Sequence, residues 1–301
     1  MRVTGKMMTN NYQRNLNNTL NELQKVNNQL STGKEISKPS QNPFLATRIM
    51  DYDTEIARKE QFLRNIEDVD GYLDVTDGAM GQLNEQMKRL KELAIQASTE
   101  TYSAEERLVI AKEVEGIMGA MVDTLNTSFD DKYIFAGMQT TTRPFELTKN
   151  PDGSITVDYN GDNEVVQVEI SKGVKVDRNI TGQAVLGDVN GQNLFETLND
   201  LVVALNNNDS AKISSLIPEM DEHFDNVLQL RGKVGATQAR MELGAEKAND
   251  EILSLTELLS ASEDVDWAAK IIEYKTLETG YTASLQVSSN ILQSTLLDFL
   301  K

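Results

Sequence analysis

Near the start of the chain, apolar positions advance by four and three residues alternately: Tyr12, Leu16, Thr19, Leu23, Val26 and Leu30. That spacing predicts a helix over 5–31 with a heptad-like stripe. Its opposite face carries Asn, Gln and Arg. Asparagine is a mediocre helix former, so this helix is predicted to be weak alone and firm only once its stripe is packed. Gly33 supplies a C-cap, and Pro39 and Pro43 bracket an extended loop from Lys34 to Asn42. After Pro43 the same seam runs through Ile49, Tyr52, Ile56, Leu63, Ile66, Leu73, Met80, Leu83, Met87, Leu90 and Ala94 to about Ser98. One helix of that extent would be ~80 Å long at about 1.5 Å per residue, with Gly71, Gly78 and Gly81 as points of weakness or bending. Ser103-Ala-Glu-Glu106 reads as a capping box opening a second helix to about Ser128, with Leu108, Ala111, Val114, Met118 and Leu125 inward. The two are predicted to lie antiparallel, joined at 99–102.

The period then changes. Tyr133-Ile-Phe-Ala-Gly137 is a short aromatic, β-branched run closed by glycine, and a Thr-rich loop leads to Pro144. Beyond it Ile155, Val157 and Tyr159 alternate, Asn160-Gly161 signals a tight turn, and Val166, Val168 and Ile170 alternate on the far side. Pro151-Asp-Gly153 marks a further turn. Helical spacing returns at Leu194, with breaks expected around 206–210 and at Pro218, and passes through a small-residue stretch from Arg231 to Arg240. A final helix carries Ile271, Tyr274, Leu277, Tyr281, Leu285, Leu292, Leu296 and Phe299 on one face.

The pattern therefore predicts a mainly α protein, a long helical rod formed by the N- and C-terminal segments with a small β-rich inserted domain. Its divisions are a terminal helix and loop (1–42), a long helical segment (43–139), the insertion (140–190), a returning helical segment (191–270) and a closing helix (271–301).

Composition narrows the function. With 29 Lys and Arg against 47 Asp and Glu, the chain carries a net charge of −18. Bulk attraction to a phosphate backbone is thereby excluded, and no nucleic acid is expected as a partner. The first 48 residues run against this trend, setting Arg2, Lys6, Arg14, Lys25, Lys34, Lys38 and Arg48 against only Glu22 and Glu35. No apolar run reaches the ~20 residues of a membrane span, and no short apolar segment follows the basic start. Membrane insertion and a cleaved signal peptide are therefore not expected. Absence of cysteine removes disulfides, thiolate metal sites and cysteine nucleophiles, and suits work outside the reducing cytosol. A single histidine, His223, leaves little for proton transfer at neutral pH.

Short motifs add no catalytic chemistry. Asp51-Tyr-Asp53, Asp68-Val-Asp70 and Asp74 lack the glycine and distal glutamate of a calcium loop and read as solvated helix faces. Phosphate-loop and dinucleotide fingerprints are absent. Neither a cofactor nor a metal is expected, and an enzyme is the most remote reading. The terminal stripes admit two readings: they pair with each other in an intramolecular core, or they pack with other subunits. Both hold if the terminal pair forms a coiled coil only within an assembly.

Several segments together resemble the flagellin family. Met1-Arg-Val-Thr4 with Met8, Leu30-Ser-Thr-Gly-Lys34, and Pro39-Ser40 ahead of Pro43 are similar to its amino-terminal region. Tyr133-Ile-Phe-Ala-Gly137 followed by Pro144-Phe145 resembles the hook–filament junction branch of that family. Val234-Gly-Ala-Thr-Gln-Ala-Arg240 and Leu296-Leu-Asp-Phe-Leu300 resemble the family's carboxy-terminal segments. Where the family usually has an acidic pair before the loop proline, this chain has Gln41-Asn42.

The resemblance implies an extracellular structural subunit of the bacterial flagellum. Such a subunit is exported through the flagellar type III apparatus and joins the hook-associated protein 1 zone to the flagellin filament. Its implied partners are hook-associated protein 1, flagellin, an export chaperone and further copies of itself in a helical ring. The expected assembly residues are Tyr12, Leu16, Leu23, Val26 and Leu30 with Tyr274, Leu277, Tyr281, Leu285, Leu292, Leu296 and Phe299. The alternatives are a flagellin that forms the filament itself and an unrelated coiled-coil adaptor.

Overall fold

The computed structural model describes the backbone of residues 2–150 and 154–297, and the side chains of 7–150 and 154–287. The chain divides into two compact units: a terminal one, Met1–Arg58 with Asp250–Lys301, and a central one, Lys59–Asn249. Two long helices, α2 (Pro43–Ser98) and α6 (Ser210–Glu263), contribute residues to both.

The terminal unit pairs α1 (Arg2–Thr32) with α7 (Trp267–Leu297). They run antiparallel: the Tyr12 hydroxyl donates to the Ser284 carbonyl, and at the other end Lys270 Nζ lies 3.3 Å from Glu35 Oε1. As its sequence predicts, Gly33 ends α1 at φ +73°, a conformation that other residues rarely adopt. Next to it, Val265 N donates to the Gly33 carbonyl (3.0 Å) and Glu35 N to the Glu263 carbonyl (2.7 Å). The buried Gln29 closes this clasp by donating to the Glu35 carbonyl at 2.7 Å. Gln41 and Asn42, in place of an acidic pair, serve the loop. Gln41 Oε1 accepts from Ser37 N at 2.8 Å, and Asn42 Oδ1 accepts from Leu45 N at 3.2 Å, capping α2 with Pro43 in its first turn.

In the central unit the buried face of α2 widens. Ile66, Val69, Tyr72, Leu73, Met80, Leu83, Met87, Leu90 and Leu93 are all inside, a broad stripe suited to a core rather than to a two-helix seam. Against it lies α3 (Ala104–Leu125), opened by the expected capping box of Ser103 and Glu106. Its antiparallel course is fixed by Arg89 to Glu113 (2.7 Å) and Gln86 to Thr124 (3.2 Å). Leu108 was expected inward but is 45 % exposed. Arg107 takes the inward place instead, its guanidinium donating to the carbonyls of Ala97 and Thr99, each at 2.9 Å. A third bond reaches Asn208, in the turn between α5 (Leu194–Asn206) and α6. One buried cation thus ties two turns together.

The glycines of α2 do not interrupt it. A Cβ on Gly81 would sit 3.5 Å from the Arg231 guanidinium, and one on Gly71 3.6 Å from the Phe129 ring. Both are ordinary van der Waals distances, and a Cβ on Gly78 would meet open space. Arg231 grips Asp77 with two bonds of 2.8 and 3.0 Å, which hold the Asp77 carboxyl below its ordinary pKa. Pro218, expected to break the helix, stands inside α6. It and Ser214, whose carbonyl loses the usual partner, are both exposed, so water can satisfy that carbonyl.

The β region is three separate antiparallel hairpins. They pair β1 (Ser128–Phe129) with β2 (Lys132–Tyr133), β3 (Phe145–Lys149) with β4 (Ile155–Tyr159), and β5 (Gln167–Ser171) with β6 (Val174–Asp177). The expected hairpin across Asn160-Gly161 does not form, because β4 turns back on β3. Tyr159 explains this glycine. Its hydroxyl lies 3.0 Å from the Phe135 carbonyl and 2.8 Å from that of Asp162, and a Cβ on Gly161 would collide with it at 2.5 Å. The expected turn at 151–153 lies outside the described residues. A short helix, α4 (Gly182–Leu186), follows β6.

The Tyr133–Gly137 run is the anchor of this region. Ile134, Phe135 and Ala136 are fully buried, and the Phe135 carbonyl accepts from Gly182 N at 2.8 Å. Gly137 has φ +69°, and a Cβ there would stand 2.0 Å from Asp162 Oδ1. That same oxygen accepts from Met138 N at 2.8 Å.

Candidate assembly surface

On α1 the sequence stripe is the side turned inward. Val26 is buried, and Tyr12, Leu16, Thr19, Leu23 and Leu30 are half-buried. On α7 the matching set is Tyr274, Leu277 and Tyr281, also half-buried, continued by Lys270 and Ser284. Leu285 and Ile271 lie off that stripe and are exposed. Leu292 and Leu296 belong to α7, but their side chains, like Phe299 altogether, lie outside the described residues.

Two helices facing each other can cover only one side of each. Among the described residues, the terminal unit buries just four apolar side chains: Val26, Ala46, Ile49 and Val265. Large apolar groups remain in water around them, including Phe44 (75 % exposed), Ile272 (68 %), Met50, Leu253 and Trp267. Sequence reasoning missed this second set because these residues lie off the heptad spacing. Exposed apolar groups of this size in a unit with so little core are candidates for a surface that other chains cover. At the clasp, Glu263 beside Lys34 raises that ammonium's pKa.

Chemistry of other kinds finds little support. His223 is 1 % exposed and its Nε2 lies 3.2 Å from the Thr197 hydroxyl. That hydroxyl also lies 3.3 Å from the Asn193 carbonyl. Burial lowers the histidine's pKa, and no substrate could reach it. Burial likewise pushes the Tyr72 phenol up to about 12. This hydroxyl donates to the Ile134 carbonyl at 2.7 Å. A cleft of about 410 Å³ beside β4 and the start of α5 is lined by Asp158, Asn193, Glu196, Asn199 and Asp200. Several of those groups are engaged in the fold: Asn193 and Glu196 cap α5, and Asn199 accepts from Ile155 N at 2.8 Å. Asp51, Asp53, Asp68, Asp70 and Asp74 are exposed helix residues. Among the described residues no group of three or more His, Asp or Glu could hold a metal ion, and no helix is long and apolar enough to cross a membrane.

Two family descriptions match this chain. The bacterial flagellin N-terminal helical region matches residues 3–140, and the bacterial flagellin C-terminal helical region matches residues 217–300. The chain belongs to the flagellin family. Within that family it is similar to flagellar hook-associated protein 3 of Escherichia coli strain K12, at 25 % identity over 97 % of each chain. The protein of the same name from Salmonella typhimurium strain LT2 is 24 % identical, again over 97 % of each chain. The fold is shared with the crystal structure of flagellar hook associated protein-3 from Legionella pneumophila. There the TM-score is 0.64 at 16 % identity, over 71 % of this chain and 98 % of that one. The family matches take in α1, α2, α3 and α7 together with most of α6, whereas β3 to β6 fall between them.

Proposed function

We propose that this protein is a structural subunit of the bacterial flagellum, a mechanical adaptor between the hook-associated protein 1 zone and the flagellin filament. The observation that carries this reading is the terminal unit's shortage of core: among the described residues, four buried apolar side chains against a larger exposed apolar set. Such a unit is completed by neighbours. Similarity to hook-associated protein 3 along nearly the whole of both chains supports the junction over the filament itself.

On this reading Tyr12, Leu16, Leu23, Val26 and Leu30 with Tyr274, Leu277, Tyr281, Leu285, Leu292, Leu296 and Phe299 form the assembly seam. Hook-associated protein 1, flagellin and further copies of the chain are its partners. An export chaperone covers the α7 stripe in the cytoplasm, because a bare apolar band there would invite premature association. The subunit then works outside the cell and performs no catalysis.

Deleting the gene tests the reading. Flagellin should be released unpolymerised into the medium while hooks persist, and intact filaments in the deletion strain would refute it. Complementation with Leu292→Asp plus Leu296→Asp should fail to restore filaments, since two unpaired charges would enter the seam. The purified variant should also lose binding to the chaperone.

A further inference from the structure

Against the grain of so acidic a chain, one cleft of the central unit is basic. It lies between β6 and α6, has a volume of about 190 Å³, and is lined by Lys175, Asp177, Lys233, Thr237 and Arg240 with Leu73 behind them. Lys175 and Arg240 are exposed and enter no ion pair among the described residues. Lys233 approaches Asp177 only to 3.7 Å, and that carboxylate already accepts from Gln167 at 3.1 Å. Three cations thus share one partly engaged acid. Lys233, Thr237 and Arg240 follow the i, i+4, i+7 spacing and share one face of α6.

The same unit carries an unmatched acidic face. Glu67, Asp70 and Asp74 on α2 are exposed, and none enters an ion pair among the described residues. Asp70 stands seven residues before Asp77, hence on the side of α2 where Arg231 is gripped. Lys233 stands two residues after Arg231, roughly 200° around α6. The two charged faces therefore look to different sides of this helix pair. Complementary patches on different sides of one molecule suit a head-to-tail contact between copies, which closes into a ring or continues as a helix.

We propose that the basic cleft formed by Lys175, Lys233 and Arg240 receives the Glu67–Asp70–Asp74 face of a second copy of this chain. The inference rests on the assembly reading and deepens it, giving side-to-side contact an electrostatic seam in the central unit. Because the charges are exposed, the seam weakens with salt and sets which faces meet more than it sets total affinity.

Charge exchange on the full chain tests it. Asp70→Lys with Asp74→Lys gives one variant, and Lys233→Glu with Arg240→Glu gives the other. Self-association is measured by sedimentation at low salt. Lysine-to-carboxylate cross-links are mapped by mass spectrometry. Wild type should yield inter-copy links between Lys233 or Lys175 and the α2 acids, and each variant alone should lose association at least tenfold. A one-to-one mixture should regain it, because the reversed face of one variant then meets the reversed cleft of the other, and their two unaltered surfaces also match. Circular dichroism checks folding, with Asn and Gln replacements standing in for a variant that fails, and a tenfold rise in salt should weaken wild type. Absence of those links, association indifferent to reversal, or a mixture no better than its parts would each overturn the seam. The junction reading would survive such a failure, since flagellin release in the deletion strain judges it separately.

Discussion

Both compact units are built on long amphipathic helices, yet they use them differently. The central unit surrounds α2 on several sides. Met80, Leu83, Leu90, Met118, Met121 and Leu125 are completely or almost completely withdrawn from water, and short elements such as α5 and the hairpins fill the remaining gaps. The terminal unit has helix against helix, and a stripe such as Leu16, Leu23 and Leu30 stays half-buried. A heptad seam covers a narrow strip of each helix, whereas a globular core needs an apolar arc of about 100° or more. The same secondary structure therefore gives a well-covered core in one case and a half-covered helix pair in the other.

The sharpest way to break this contrast is amide hydrogen exchange on dilute protein. Helices of the central unit should be protected close to its global stability, on the order of 5–15 kcal/mol for a domain. The α1–α7 pair should exchange orders of magnitude faster. Equal protection in both units would refute the contrast.

Truncation in the two places should also separate them. Met118→Ala, at a fully buried site, is expected to cost the central unit about 3–4 kcal/mol in denaturant unfolding. Leu23→Ala should leave that central transition unmoved while weakening assembly. A smaller loss, about 2–3 kcal/mol, is expected for Arg107→Ala, which leaves the Ala97 and Thr99 carbonyls without their donor.

The smallest effect sharpens the comparison through pH. Burial holds His223 below its ordinary pKa of 6.5, so proton uptake favours the unfolded chain. Its contribution to stability is complete above about pH 6.5 and is lost as pH falls from there through the folded value. The slope approaches roughly 1.4 kcal/mol per pH unit for one proton. His223→Gln should flatten the unfolding profile below about pH 6.5, and only in the central transition. An unchanged slope would remove His223 from the account.

The sequence by itself determined the elements whose signals are local. The heptad of α1, the C-cap at Gly33, the Ser103–Glu106 box and the alternation of 155–159 each act within a few residues, and each stands where the spacing put it. The family, too, was legible in segments such as Tyr133–Gly137. Distant neighbours decided the rest. Gly161 looked like a hairpin turn and is instead room for the Tyr159 ring. Gly81 looked like a bend and stands in an unbroken helix beside Arg231, 150 residues away. Leu108 was placed inward by its spacing and is exposed, while Arg107 beside it is a buried tie between two turns. In the terminal unit, the stripe on α1 was readable, but Phe44, Met50 and Ile272 were not, because isolated apolar residues carry no period. Periodicity reports which side of an element is apolar. How much of that side is covered depends on how many other elements pack against it, and that is set by contacts between residues far apart in the chain.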